Sequence, residues 1–157
     1  MGGGLRHSFR RSTETKAMNK TMKTVPEHEA LIYAMVTLSA ADRTMTDREL
    51  QKIGDIVQTL PVFSEFDRDR LVATAENCGG LLQAEDGLDR ILDIIATSLP
   101  PRLHETAYAL AVEVAAADFH VEQEELRFLQ MLRDRLELDN LTVAAIERSA
   151  RVRYRVL

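Results

Sequence analysis

Tryptophan is absent, cysteine occurs once, and aromatic residues make up only 5% of the 157 residues. A single thiol, Cys78, can form no intrachain disulfide, and the chain has no Cys/His cluster of the kind that builds a structural zinc site. The fold must therefore rest on burial, and at this length about 68–70% of the unfolded chain's surface is covered on folding, enough for a core of its own. A lone thiol also suits a reducing compartment, which makes the cytoplasm the expected location. Long apolar runs are missing too. The longest uncharged stretch, Ala30 to Ala41, has 12 residues, against roughly 20 for a membrane-spanning helix. Phosphate-binding glycine loops, H-E-x-x-H and G-x-S-x-G are all absent, as is the E-x-x-H spacing of carboxylate-bound dimetal enzymes. These gaps leave no support for nucleotide-driven or hydrolytic catalysis, and the expected protein is not an enzyme.

The net charge of -5 is unevenly placed. Residues 1–24 hold six basic groups and one acid, a balance of +5, so residues 25–157 carry -10. An acidic body repels nucleic-acid phosphates and attracts cations. The first 24 residues show no apolar periodicity and read as a disordered basic tail, followed by one folded domain over 25–157. Their Arg- and Ser-rich composition is also that of an organellar transit peptide, and Met18 or Met22 are alternative starts. The tail's charge suits weak contact with anionic lipid or with the protein's own acidic face.

From Pro26 onward the apolar residues recur at three and four, the period of amphipathic helices. The expected fold class is all-α, a compact bundle of about seven helices. Leu31, Ala34, Met35, Leu38 and Ala41 line a first helix from about Glu27 to Ala41. Leu50, Ile53, Ile56, Val57 and Leu60 mark a second, which Pro61 stops. A third is expected from Phe66 to Ala84, bent or ended at Gly79 and Gly80, with a turn at residues 85–87. Ile91, Leu92 and Ile95 mark a fourth, ended by Pro100 and Pro101. A fifth spans Arg102 to Ala117, a sixth carries Leu126, Leu129, Leu132 and Leu136, and a seventh runs from Leu141 to about Tyr154.

Sliding the chain by 76 residues lays the stretch beginning at His28 over the one beginning at His104. His, Glu, Val36/Val112, Ala40/Ala116, Ala41/Ala117, Asp42/Asp118, Glu49/Glu125, Leu50/Leu126 and Leu60/Leu136 coincide. Each copy is an apolar helix, an Asp at its end, a short connection, and a helix with Glu in its first turn. Two such hairpins in one domain predict an approximate two-fold arrangement around a shared core.

The repeated acids have two readings. Thr46-Asp47-Arg48-Glu49 is a capping box, a local device worth about 1 kcal/mol, and acids at a helix start also meet the positive end of its dipole. In the second copy Glu122 replaces the Thr, yet Glu125 remains, and Asp42 and Asp118 sit at helix C-terminal ends where the dipole disfavours them. The alternative is a metal site. If the connections face each other, Asp42, Glu49, Asp118 and Glu125 converge, and two unit charges 5 Å apart at an effective dielectric of 20 repel by about 3 kcal/mol. Protons or a cation must relieve that repulsion, and an all-oxygen set suits calcium, magnesium or manganese. His120 offers a nitrogen ligand that would shift the choice toward manganese, iron or zinc, but it reads more simply as an ordinary loop histidine, since the first copy has Thr44 there.

At these residues the chain resembles a known family. A-A-D-x-x-M-x-x-x-E-L and A-A-D-x-x-V-x-x-x-E-L, each after an Ala-rich helix, are similar to the paired signatures of the TerB-like tellurite-resistance proteins, which are related to the N-terminal module of DjlA-type co-chaperones. The resemblance covers about residues 25–155. It implies a seven-helix domain, a metal site at Asp42, Glu49, Asp118 and Glu125, and a place with a protein partner in a tellurite or related stress response. The family often has Gly after the signature Asp, where this chain has Arg43 and Phe119. Without metal, the same acidic connections or a helical face serve a protein-interaction module. His28 and His104 read as helix-start residues, Cys78 as a small buried apolar group, and the run Arg148, Arg151, Arg153, Arg155 as a solvated helix end.

Overall fold

The computed structural model describes residues 23–41, 45–118 and 120–157. Most of the basic tail, and Asp42, Arg43, Thr44 and Phe119, lie outside the described residues. Among those described are seven α-helices and no strands: α1 Glu27–Ser39, α2 Asp47–Thr59, α3 Leu71–Leu82, α4 Gly87–Ser98, α5 His104–Ala117, α6 Gln123–Arg135 and α7 Asn140–Arg153. No described helix is long and apolar enough to cross a membrane.

The first helix departs from the amphipathic stripe expected of it. Every residue from Ala30 to Ser39 is buried, because α5 packs along α1 more extensively than any other helix pair meets, while α2, α3, α4 and α6 also touch it. A helix apolar on all sides is one enclosed on all sides. The uncharged run Ala30–Ala41 is thus the spine of the core, with α5 beside it contributing Ala107, Tyr108, Ala111 and Val112. The first helix stops before its signature, at Ser39, two residues short of the expected Ala41, whereas α5 runs to the expected Ala117.

The helices of the two copies keep their spacing and then lose it. The helices α2 and α6 are both 13 residues long and begin 76 apart, at Asp47 and Gln123. Each second helix touches the first helix of its own copy and that of the other, and the third helices, α3 and α7, pack on α1 and α5 respectively. The next helices, however, begin 69 apart, at Leu71 and Asn140. The difference lies in the connections, eleven residues (60–70) against four (136–139).

Two residues at equivalent positions decide this. In the first copy Pro61 opens a 3-10 turn, Pro61–Phe63, and a second turn at Arg68–Arg70 precedes α3. The third helix therefore starts at Leu71 and not at Phe66, since residues 60–70 are used to return over α2. In the second copy the position of Pro61 is held by Glu137, in the left-handed region at φ 54°. There the Leu138 N–H donates to the Arg133 carbonyl at 3.1 Å and the Glu137 N–H to that of Asp134 at 3.2 Å, the paired bonds of a Schellman ending. Such a turn closes α6 at once, and Asp139 caps α7, accepting from the Thr142 N–H at 2.9 Å and its hydroxyl at 2.8 Å. A left-handed non-glycine residue carries a cost of about 1–2 kcal/mol. Glu137→Gly is accordingly expected to stabilise the domain by up to about 1 kcal/mol, read as a higher urea midpoint.

Gly79 and Gly80 do not end α3, which runs through both to Leu82. The glycine that matters is Gly87, first residue of α4. A Cβ there would fall 2.2 Å from the Leu81 carbonyl oxygen and 3.0 Å from the Leu82 backbone. Close passage of the α3 end over the α4 start requires a residue without a side chain. Gly87→Ala is expected to cost about 1–3 kcal/mol, the usual range for overpacking, read by equilibrium denaturation.

Candidate functional site

The site expected from the repeats joins the α1–α2 and α5–α6 connections. In the first copy the local device is complete: the Thr46 N–H donates to Glu49 Oε2 at 2.7 Å, and the Glu49 N–H donates to Thr46 Oγ1 at 3.2 Å. Glu49 is thus engaged as the N3 member of a capping box. In the second copy Glu122 stands at the N-cap of α6 and makes no side-chain capping bond. Glu125, however, is only 5% exposed. A carboxylate drawn that far from water is a stronger commitment than surface capping demands.

Asp118 is exposed and stands at the C-cap of α5. Its Oδ1 accepts from the His120 N–H at 3.1 Å, which turns the chain out of the helix. The His120 side chain is exposed, as a loop residue should be. Asp42, the fourth member, lies outside the described residues, and so does its separation from Asp118. Among the described residues no three His, Cys, Asp or Glu side chains gather into a group able to hold a metal ion. Glu49, Asp118 and Glu125 therefore do not make a site by themselves.

Next to Asp118 the structure opens an apolar cleft of about 360 Å³. Helices α6 and α7, both packed on α5, form its walls, and Val112, Ala115 and Ala116 its floor. Asp118, Glu147 and Arg151 stand around it, with Val121 and Leu126 on the α6 side. Tyr108 reaches Glu147 from the core and donates its hydroxyl to Oε1 at 2.7 Å. Burial, and then this bond to a carboxylate, push the Tyr108 phenol well above the usual tyrosine range. The hydroxyl therefore stays protonated and fixes Glu147 at the cleft wall.

One polar cluster was not foreseen from the sequence. Glu113, the only charged residue between Glu105 and Asp118 on the apolar helix α5, receives Arg153 Nη1 at 3.0 Å and Nη2 at 2.6 Å. The Tyr154 hydroxyl donates to the same carboxylate at 2.6 Å and accepts from Lys52 Nζ at 3.1 Å. One carboxylate thereby ties α2, α5 and the end of α7 together, so Arg153 is a structural clamp within the basic run. A single charge within the apolar stretch 106–117 is its one sequence signal. Burial raises the Glu113 pKa, but the bonds from Arg153 and Tyr154 and the charges of Arg153 and Lys52 outweigh it, and the net direction is down from 4.5. A depressed carboxylate pKa contributes stability above its unfolded value and loses it as pH falls through the folded one. Acid unfolding of Glu113→Gln is accordingly expected to show a weaker dependence on pH below about 4.5 than that of the parent chain.

Cys78 is fully buried. Burial pushes its thiol up to about 11, against a lesser lowering by the Thr37 hydroxyl 3.4 Å away. The group behaves as a small apolar filler and not as a nucleophile. Both histidines of the repeat are helix-start residues: His28 packs edge-on against the Phe66 ring, and His104 Nε2 lies 3.1 Å from the Leu99 carbonyl.

Neither a curated protein nor a solved structure matches the chain significantly. The family model of tellurite resistance protein TerB, in contrast, matches residues 28–148, from the first repeated His into α7. An all-helical domain with paired A-A-D signatures, matched over most of its length, belongs to the TerB family of tellurite-resistance proteins.

Proposed function

We propose that this TerB domain acts without catalysis in a tellurite-related stress response, and that its two acidic helix connections bind a divalent cation. The observation that carries this reading is Glu125, a carboxylate present in both copies and only 5% exposed in the second. Oxygen donors alone suit hard ions, so calcium, magnesium or manganese are the expected ligands, with Asp42, Asp118 and Glu125 as the core of the set. Glu49 would join by leaving its box. Calorimetric titration of each ion into the full chain should show saturable binding that disappears in Asp118→Asn. No binding heat from any of them overturns the reading.

A second reading is favoured by the cleft between α6 and α7. Val121 and Leu126 at its side are 41% and 56% exposed, as befits a metal-free module that docks a protein. Absence of metal binding leaves this reading standing.

A further inference from the structure

The two copies differ in what covers their second helix. In the first, the connection 60–70 returns over α2, both of its 3-10 turns packing on that helix. Met45 and Leu50 are half-buried against the core, and Leu50 lines, with Arg68, an open cleft between α2 and that connection. In the second copy the connection is four residues long, and the equivalent Val121 and Leu126 stand exposed beside the open cleft. The connection of copy one combines apolar groups with arginine: Phe63 and Phe66, which pack against His28 of α1, and Arg68 and Arg70, the latter paired with Glu29 of α1. A second stretch of this composition occurs in the chain, Leu5-Arg6-His7-Ser8-Phe9-Arg10-Arg11.

We propose that this stretch of the N-terminal segment docks on the α6/α7 cleft, its apolar residues against Val121 and Leu126 and its arginines toward Asp118 and Glu147. Charge favours the encounter, since residues 1–24 carry +5 and the remainder -10. Reach allows it as well. Residues 12–22 span up to roughly 36–40 Å when extended, against a radius of gyration of roughly 14 Å for a domain of this size. The proposal is independent of cation binding, and its test is run in metal-free buffer.

The test uses the full chain with Ser8→Cys carrying a nitroxide. Cys78 is buried and its thiol raised to about 11, so the label goes to the new site. Amide signals of Val121, Leu126 and Ala150 are expected to lose most of their intensity, and to regain it in Leu126→Glu, which folds because Leu126 is exposed. High salt should weaken the loss and dilution should not, because the contact is intramolecular. Loss on another face, no loss at all, or loss that vanishes on dilution, as for a second copy or a separate partner, overturns the proposal.

Discussion

Phe128→Ala is expected to destabilise the domain by about 3–5 kcal/mol, while Leu126→Ala, two residues earlier on the same helix, changes stability by less than about 0.5 kcal/mol. The Phe128 ring is 1% exposed and Leu126 56% exposed. Helix α6 lies on α5, α1 and α4, so truncating Phe128 empties space at the centre of the bundle that rigid neighbours cannot refill. Leu126 contributes no comparable burial, because its side chain faces the cleft. Urea denaturation of the two variants measures the contrast directly. Equal losses would mean that α6 is rotated from the orientation described, and would remove the basis for treating the Leu126 face as available for docking.

Much of this architecture can be read from local chemistry. The period of three and four yields the helices, Pro61 and the Pro100–Pro101 pair yield two breaks, and Thr46-x-x-Glu49 yields a capping box that the structure contains. What local chemistry cannot show is where the chain comes back to itself. The late start of α3 depends on residues 60–70 folding over α2, and the Glu113 clamp joins positions 40 and more apart in sequence. The burial of every residue from Ala30 to Ser39 is hidden for a similar reason, since periodicity reports one apolar face even when neighbours cover them all. The candidate site divides along the same line. Capping at Glu49 was legible, and the burial of Glu125 was not, because it depends on tertiary packing. Of the four acids, Asp42 lies outside the described residues, so their convergence stands as part of the proposal.

Cation-linked stability tests that convergence most directly. An ion that binds the folded state only, at 100 times its dissociation constant, is expected to add about 2.7 kcal/mol. Asp118→Asn should abolish the gain, since it removes one charged ligand while leaving an oxygen to accept from the His120 N–H. In metal-free buffer the same substitution should leave stability unchanged or slightly raised, because it relieves repulsion among the acids. A purely structural aspartate would behave differently, losing stability on substitution with or without metal. The decisive measurement is therefore a pair of thermal melts, parent and Asp118→Asn, in chelator and in calcium, magnesium, manganese and zinc at millimolar concentration. The account predicts a metal-dependent rise in the parent alone; melts that no ion moves, or a rise that survives in Asp118→Asn, would contradict it.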